Sequence, residues 1–284
     1  MKLKVLSITD TEQILSEYVA ALGTMFPVEG IWDKEDGWDI YLPQHITGTS
    51  IDEITGFLNR LTKEPIQFRL YDYDDDDTDW NAEWKKGYEP VKISNNLYVF
   101  PAWIEIPEEM RQKTVIRIDP QMGFGTGTHE TTRLMLEMTE KHFSGYTQVL
   151  DAGTGSGILA VLTEKLMPAA RIIAFDVDED AIANARINGR LNQCTRISWV
   201  TGDIHQMDPG NFDYIMANIN RTVLMDLIPE LTRRLMPCGL LLLSGILNEE
   251  VSMIRELCAS LGLTEADLRS RNEWSAMVWR MPPV

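Results

Sequence analysis

The chain has 284 residues, of which 44% are hydrophobic and 24% charged, and its formal net charge is -17. This length is large for one hydrophobic core, so we expect two domains. The negative charge disfavours nucleic-acid binding, which depends on Lys and Arg neutralising phosphates, and would attract a basic partner instead. Acidic composition is also common among cytoplasmic proteins, so the charge alone does not establish such a partner.

The sequence gives no sign of membrane insertion, export or metal binding. No apolar run approaches the roughly 20 residues that span a bilayer, and the first ten residues enter an alternating pattern without a signal-peptide core. The three cysteines, Cys194, Cys238 and Cys258, are widely spaced and form no metal-ligand pair. We therefore expect free thiols in a reducing cytoplasm, and nothing requires more than a monomer.

The first seventy residues alternate between short strand-like and helix-like patterns. Strands are predicted at residues 3–8, 28–33, 37–43 and 66–74, and helices at residues 11–26 and 50–61. The order strand, helix, strand, strand, helix, strand is that of a ferredoxin-like α+β domain, which we assign to residues 1–73. This fold supports many roles, so the order alone does not indicate a function.

An acidic segment follows this domain. The aspartates Asp74 to Asp77 and Asp79 repel one another and cannot be buried together. The segment is interpreted either as a polar linker or as an acidic surface that helps to hold a basic substrate. Strand-like alternation then resumes around a turn at Asn95 and Asn96. We assign residues 74–118 to an acidic linker and a small strand region.

From residue 147 onward the pattern becomes a regular alternation of strands and helices. Strands are predicted at residues 148–152, 171–178, 196–203, 212–219 and 239–247, helices at 157–167, 179–191, 222–236 and 248–261, and two closing strands at 264–272 and 274–281. Near-continuous apolar strands, each followed by a helix, predict a mostly parallel sheet with helices on both faces. This α/β domain is assigned to residues 119–284.

The stretch "DAGTGSG", Asp151 to Gly157, follows the first of these strands and opens a helix. Gly153, Gly155 and Gly157 permit turn dihedrals that are closed to other residues and allow a ligand to approach the backbone. A dinucleotide fingerprint would require glycine where Ile158 stands, which counts against an NAD-dependent oxidoreductase. The turn is better suited to a nucleoside without a pyrophosphate.

Polar residues end the next three strands, where an open α/β sheet binds its ligands. Asp176 lies roughly 20 residues beyond the glycine turn, where a carboxylate can accept both ribose hydroxyls. Asp178 is interpreted either as a helix cap or as a competitor of Asp176 for the ribose. Asp203 is interpreted either as a contact to an adenine amine or as a turn residue. Asn218 can both accept and donate hydrogen bonds, so it could orient an amine or form a turn.

The stretch "DPQMGFGTGTHETT", Asp119 to Thr132, places three glycines and four threonines around one histidine. A helical pattern begins where the stretch ends, and Thr131 or Thr132 is predicted to cap that helix. His129 is interpreted as a structural hydrogen-bonding group or as a general base. The glycines indicate that something approaches this backbone closely.

These features resemble class I methyltransferases that use S-adenosyl-L-methionine. The stretches "DPQMGFGTGTHETT", "VLDAGTGSGIL", "IIAFDVDEDA", "MANI" and "LLLLSGIL" occur in the order found in the ribosomal protein L11 methyltransferase family. The similarity extends over nearly the whole chain and is strongest from Trp80 to Leu247. The chain departs from the family's usual residues at Gln121, Gly123, Glu130, Asn220 and Arg221.

Together the motifs and the resemblance assign a set of cofactor contacts. They are Phe124, Gly125, Thr126, Gly127, Thr132, Asp151, Gly153, Gly155, Gly157, Asp176, Asp203 and Asn218. The resemblance implies that Phe124 to Gly127 form a loop over the methionine end of the cofactor, and Asn218 and His129 are the candidate catalytic residues.

The resemblance also implies a reaction. Methyl groups would pass from S-adenosyl-L-methionine to lysine ε-amino or N-terminal α-amino groups of ribosomal protein L11, with S-adenosyl-L-homocysteine as product. The alternatives are a methyltransferase that acts on another protein, on a small-molecule amine or on nucleic acid, and a non-catalytic adaptor that keeps this fold.

Overall fold

The computed structural model describes residues 2–9, 26, 28, 30–34, 37–60, 67–74, 89–119, 129–206 and 210–283. The chain divides into two compact units, Met1–Gly87 and Tyr88–Val284. The second unit begins before residue 119, where the α/β domain was expected to start, because the short strands upstream share its hydrophobic core. Within the described part of the chain, no helix is long and apolar enough to cross a membrane.

The first unit contains a four-stranded antiparallel sheet and a helix. Its elements are β1 (Lys2–Thr9), β2 (Gly30–Lys34), β3 (Gly37–Pro43), α1 (Gly48–Asn59) and β4 (Gln67–Asp74). The spatial order β2-β3-β1-β4 fits the predicted ferredoxin-like domain. Leu6 and Ile40 of the sheet pack with Ile54 and Leu58 of α1 in one buried cluster. The predicted helix at residues 11–26 lies, apart from Phe26, outside the described residues.

The second unit begins with three short strands, β5 (Val91–Lys92), β6 (Leu97–Pro101) and β7 (Thr114–Ile118). The turn between β5 and β6 was predicted, and the Ser94 hydroxyl accepts hydrogen bonds there from the amides of Asn96 and Leu97, each at 3.0 Å. Strand β7 was not predicted. It pairs in parallel with β6, and an irregular segment connects the two strands. Because no short turn motif joins them, the sequence pattern did not indicate β7.

The larger sheet has seven strands, covered by helices that alternate with them along the chain. The elements are α2 (Glu130–His142), β8 (Gln148–Ala152), α3 (Ile158–Leu166), β9 (Arg171–Asp176), α4 (Glu179–Leu191), β10 (Ile197–Thr201), β11 (Phe212–Asn218), α5 (Arg221–Arg234), β12 (Leu235–Leu247), α6 (Val251–Ser260), β13 (Thr264–Arg271) and β14 (Trp274–Arg280). The spatial order is β10-β9-β8-β11-β12-β14-β13. The first five are parallel, and β14 runs antiparallel to both of its neighbours.

Both faces of this sheet are buried, as the continuous apolar strands predicted. Along β12, Leu240 and Leu242 belong to the core that contains α2 and α3, whereas Leu241 and Leu243 belong to the core of α5 and α6. This alternation is the two-residue period of a strand. Because the strand order reverses between β8 and β11, their carboxyl ends flank the crevice where such sheets bind ligands.

The chain following β11 passes through a narrow space at this edge. Gly245 in β12 has φ +83°, and a Cβ added there would lie 2.2 Å from the carbonyl oxygen of Ile219. A Cβ on Gly153, after β8, would lie 2.8 Å from the Ile219 side chain. Gly245 leaves room for the Ile219 backbone, and Gly153 leaves room for the end of the Ile219 side chain. The close approach of Gly245 to this backbone helps to position the neighbouring Asn218.

Replacement of Gly245 by alanine tests this close approach against a matched control. Gly262 has the same φ of +83°, but a Cβ there would have no heavy atom within 4 Å. In both variants the alanine must adopt a left-handed backbone conformation, which costs about 1–2 kcal/mol. Gly245→Ala must also displace the Ile219 backbone, and we expect it to lose about 1–3 kcal/mol more in the free energy of unfolding. Urea denaturation measures both, and equal losses would contradict the packing argument.

Candidate active site

The glycine turn after β8 has the backbone that the sequence predicted. Gly153, Gly155 and Gly157 have φ values of +66°, +52° and +80°. The space beside Gly153 and Gly157 is filled by side chains of the protein. A Cβ on Gly157 would lie 2.8 Å from the Trp199 ring, just as one on Gly153 would meet Ile219. The glycines therefore allow close packing of neighbouring chain segments, in addition to any approach by a ligand.

Asp176, at the end of β9, holds this turn through its carboxylate. The Gly155 amide donates to Asp176 Oδ2 at 2.9 Å, and the Asp178 amide donates to Oδ1 at 3.1 Å. Asp178 itself accepts from the Asp180 amide at 2.9 Å, which confirms it as the N-cap of α4. Since each carboxylate oxygen can accept a second hydrogen bond, Asp176 keeps capacity for ribose hydroxyls.

Asp203 lies at the end of β10, beside Asp176. The amide of Gly202 donates to the Asp176 carbonyl at 2.9 Å and so joins the two strand ends. The exposed Asp203 accepts from the His205 amide at 2.9 Å, which starts the short 3-10 helix Ile204–Gln206. Asp203 therefore forms the turn that was one of its two interpretations, and its contact with an adenine amine stays a prediction.

Asp151 is a fully buried carboxylate at the end of β8. Its Oδ2 accepts from the Thr154 hydroxyl at 2.6 Å and from the Ala160 amide at 3.1 Å. Its Oδ1 is buried and has no hydrogen-bond partner among the described residues. Burial raises the pKa of Asp151 to about 6, the two hydrogen bonds oppose the rise, and the charge of Asp176 adds to it.

Asn218, at the end of β11, has a similarly unpaired oxygen. Its Oδ1 is buried without a partner in the described part of the chain, and its Nδ2 lies 3.5 Å from the Thr132 hydroxyl in the first turn of α2. Strand β11 is the neighbour of β8, with Met216 opposite Asp151 in the register. Two buried acceptor oxygens therefore occupy adjacent strand ends beside the glycine turn.

His129, rather than Thr131 or Thr132, caps α2, so the predicted threonine cap was wrong. Its backbone is extended, with φ -65° and ψ 142°, and its Nδ1 accepts from the Thr131 amide at 3.3 Å. The ring also meets Trp274 edge-on, with centroids 5.2 Å apart. Burial lowers the pKa of His129, against the opposing charges of Glu130 and Glu273.

This arrangement has a consequence for proton transfer. His129 Nδ1 accepts from the Thr131 amide and also lies 2.8 Å from the Thr131 hydroxyl. A lone pair that is used by the cap is not free to take a proton from the substrate. A catalytic role for His129 stays a prediction.

The predicted loop Phe124 to Gly127 lies outside the described residues, but the chain on either side of it is anchored. The Asp119 amide donates to Asn188 Oδ1 at 2.8 Å, and Asn188 Nδ2 donates to the Ser156 carbonyl in the glycine turn at 2.8 Å. On the other side of the loop, the Thr132 hydroxyl lies 3.5 Å from Asn218 Nδ2. The described residues on both sides of this loop therefore lie at the same edge of the sheet as the glycine turn.

Asn188 was not singled out from the sequence, although a signal exists. Asn184 and Asn188 of α4 and Asn192 at its C-cap recur at four-residue spacing, which places them on one side of the helix. Asparagine is a poor helix former, so this repetition indicates a tertiary role.

Three residues that differ from those usual in the family form a hydrogen bond or an ion pair in the structure. Asn220 caps α5 by accepting from the Val223 amide at 3.1 Å. The Arg221 guanidinium forms an ion pair with Glu250 at 2.7 Å. Glu130 accepts from the Asn272 side-chain amide at 3.1 Å.

Comparison with known proteins gives consistent matches. A family model described as ribosomal protein L11 methyltransferase (PrmA) matches residues 18–282. The ribosomal protein L11 methyltransferase of Pelobacter propionicus is 38% identical over 244 residues, covering 81% of this chain and 76% of that protein. The one from Ruminiclostridium cellulolyticum is 33% identical over 271 residues, covering 94% and 82%. A crystal structure of ribosomal protein L11 methylase from Lactobacillus delbrueckii subsp. bulgaricus superposes with a TM-score of 0.64 at 29% identity, covering 69% of this chain and all of that one.

The buried carboxyl predicts a pH dependence of stability in the ligand-free protein. The pKa of Asp151 is about 6 when folded, against 3.8 for a free side chain. Between those pH values the folded state binds more protons than the unfolded chain, so this carboxyl makes the free energy of unfolding fall as pH rises. The full effect is about 3 kcal/mol at 1.36 kcal/mol per pKa unit.

Asp151→Asn removes this titration while keeping an acceptor for Thr154. We expect the stability of the wild type relative to the variant to decline from about pH 4 to about pH 6. Urea denaturation across that range measures the difference. A difference that does not change with pH would show that Asp151 does not titrate there.

Two substitutions at His129 separate capping from catalysis. His129→Ala should lose about 1 kcal/mol of stability because the cap is removed, whereas His129→Asn provides a preferred N-cap and should retain it. Neither side chain is a base, so a structural role predicts that both keep most of their turnover from about pH 7 to about pH 9. Loss of turnover in the stable asparagine variant would support His129 as the base.

Proposed function

The chain belongs to the ribosomal protein L11 methyltransferase family, and we propose on that premise that its substrate is ribosomal protein L11. It is an S-adenosyl-L-methionine-dependent methyltransferase, as its family membership establishes. The acceptor groups are proposed to be lysine ε-amino groups, the N-terminal α-amino group, or both. Methylation of another protein or of a small-molecule amine is the alternative that the experiment below separates.

The residues at the sheet edge fit this cofactor. The observation that carries the proposal is the pair of buried acceptors, Asp151 Oδ1 and Asn218 Oδ1, that have no partner among the described residues. Buried polar atoms are normally hydrogen-bonded, so unpaired acceptors on adjacent strands suit a ligand that brings cations or N–H donors. When bound, S-adenosyl-L-methionine supplies a methyl group attached to a positively charged sulfur, and its ammonium is a further donor.

The remaining cofactor contacts are proposed from the positions of the strand ends. Asp176 would accept from the ribose hydroxyls, since its carboxylate is already oriented by Gly155 and Asp178. Asp151 would face a cationic part of the cofactor, which favours its ionised form at neutral pH despite the pKa of about 6. Phe124 to Gly127 would cover the methionine end.

Asn218 is proposed to position the acceptor amine. A neutral amine retains N–H groups that can donate to Asn218 Oδ1, which leaves the nitrogen lone pair free for attack. The Thr132 hydroxyl, 3.5 Å from Asn218 Nδ2, would help to orient the amide. Positioning of this kind supplies a large part of catalysis in displacement reactions.

Deprotonation of the amine is the second requirement. A free lysine has a pKa near 10.4, so forming the neutral amine at pH 7.4 costs roughly 4 kcal/mol, whereas an α-amino group starts near pKa 8. Burial and a neighbouring positive charge both lower an amine pKa. The site would therefore favour the neutral amine without a strong base, which agrees with the use of the His129 ring as a cap.

The first unit, Met1–Gly87, is proposed to recognise the protein substrate. The net charge of -17 favours a basic partner and disfavours nucleic acid, so free L11 would be preferred to the phosphate-rich ribosome. Most of the acidic segment at residues 74–79 lies outside the described residues, and its part in substrate binding belongs to this proposal. We propose that the protein acts as a monomer in the cytoplasm.

Mass spectrometry of purified L11 after incubation with enzyme and cofactor tests the proposal. The wild type should add one or more methyl groups to L11. Asn218→Ala should reduce kcat on the order of 10²-fold because the amine is misplaced. Its affinity for S-adenosyl-L-homocysteine should fall only modestly. The matched control Asn220→Ala removes a neighbouring asparagine that caps α5 and should retain most of kcat.

The same assay, applied to the second unit alone, tests whether the first unit is needed to recognise L11. Residues 88–284 should bind S-adenosyl-L-homocysteine but leave L11 unmethylated. Methylation of L11 at the full rate by this fragment would refute the role of the first unit. An unmodified L11 with the intact wild type, together with methylation of a small amine, would favour the alternative substrate class.

A further inference from the structure

A cavity of about 490 Å³ lies in the second unit, away from the crevice at the carboxyl ends of the strands. It is formed by the amino end of β7, the 3-10 helix Glu108–Met110 before that strand, and the last turn of α3. Helix α3 begins at the glycine turn and has nine residues, so its last turn is about 13 Å from that turn along the helix axis. The cavity is therefore separate from the site proposed for the cofactor.

The lining of this cavity is basic. Arg111, Lys113 and Lys165 line it, and none of the described residues that line it is acidic. The whole chain has 43 Asp and Glu against 26 Lys and Arg, so a lining with only positive charges runs against the composition. Because Lys165 comes from α3 and the other two precede β7, the fold brings these charges together.

Lys165 lacks a counterion of its own. The side chain is half-buried, and its ammonium makes no hydrogen bond or ion pair within the described ranges. Burial lowers the pKa of Lys165, against smaller opposing effects of Cys194 and Glu164. Burial raises the pKa of Cys194 to about 12, so this thiol is uncharged at neutral pH. The Glu164 carboxylate already accepts from the amides of Thr195 and Arg196, at 2.7 and 3.0 Å. An anion in the cavity would supply the missing partner.

Arg111 is also available to a ligand. Its Nη1 lies 3.5 Å from Glu108 Oε1, and both side chains are largely exposed, so this ion pair contributes little. The backbone beneath is held by short-range hydrogen bonds. The Arg111 amide donates to the Glu108 carbonyl at 3.1 Å, and the Lys113 amide donates to the Met110 carbonyl at 2.9 Å. The two basic side chains therefore extend from a defined turn.

The remaining lining residues indicate what kind of anion would fit. Ile106, Met110 and Val115 contribute apolar surface, and Thr114 contributes a hydroxyl. A cavity of this volume with apolar surface and a few polar groups is typical of small-molecule sites. Three cations suit a phosphate, which carries up to two negative charges, better than a carboxylate, which carries one. Arginine and lysine both bind phosphate.

The helix dipole gives only a partial explanation of the basic residues. Lys165 lies in the last turn of α3, where a positive charge complements the dipole. Arg111 and Lys113 belong to another segment, so the dipole of α3 does not account for them.

We propose that this cavity binds a small phosphate ester. The phosphate would lie among Arg111, Lys113 and Lys165, and the apolar part of the ester would contact Met110 and Val115. This inference is independent of the proposed function, because none of these residues is among the proposed cofactor contacts.

A titration with phenyl phosphate, followed by phosphorus NMR at constant ionic strength, tests the site. This probe joins a phosphate to an apolar ring, and the wild type should bind it with a Kd on the order of 1 mM. Lys165→Met keeps an apolar stem but removes the charge, and the Kd should rise about tenfold because a charge-assisted hydrogen bond is lost. Arg111→Met, at a more exposed position, should change the Kd in the same direction.

The controls separate the cavity from the net charge and from other anions. Lys92→Met removes the same charge from an exposed side chain that does not line the cavity, and should leave the Kd unchanged. Benzoate should bind more weakly because it carries a single negative charge, and inorganic phosphate because it lacks the ring. The thermal midpoint of each variant shows that it is folded at the temperature of the titration.

The outcomes distinguish this inference from the proposed function. An unchanged Kd in both Lys165→Met and Arg111→Met would overturn the site, and so would an equal rise in Lys92→Met. Benzoate or inorganic phosphate binding as tightly as phenyl phosphate would overturn the assignment to a phosphate ester. A wild type that methylates L11 but does not bind phenyl phosphate would overturn this inference alone. One that binds phenyl phosphate but leaves L11 unmethylated would refute only the proposed substrate.

Discussion

The close packing of Ile219 between Gly153 and Gly245 is the contact on which the geometry of the site depends. A side chain at either glycine would collide with Ile219, and Gly245 is so close that its Cβ would meet the backbone. Because Ile219 directly follows Asn218, this packing helps to position the Asn218 amide relative to the glycine turn. The site is thus built by backbone approach at the edge of the sheet, and its polar side chains are positioned as a consequence.

The buried polar groups around this edge fall into two kinds. Asn188 has a partner for both ends of its amide, so it can hold segments together at little cost. Asp151 and Asn218 each keep a buried oxygen without a partner among the described residues, which is unfavourable in the ligand-free protein. The first kind maintains the arrangement, and the second leaves hydrogen-bonding capacity that a bound ligand can satisfy. Stability is lower at such a site because the protein does not complete its own hydrogen bonds.

Most of the strands and helices of the second unit were predicted from the local sequence pattern. The positions of Asp176 and Asn218 at strand ends were predicted in the same way. The cap of α2 did not, because the choice among His129, Thr131 and Thr132 depends on where the chain turns from an extended to a helical backbone. Strand β7 was also missed, since its pairing with β6 spans an irregular connection. The site assignments themselves stay predictions, and the loop Phe124 to Gly127 lies outside the described residues.

Sequence alone was sufficient for the α/β architecture, the glycine turn and the resemblance that the family comparison confirmed, because periodicity and short motifs are properties of neighbouring residues. It could not reveal that Ile219 occupies the space beside Gly153 or that Asn188 binds the Asp119 amide. Those contacts join residues far apart in the chain, and only the folded sheet brings them together. The tertiary structure therefore decided which side chains hold the site and which acceptors it leaves open.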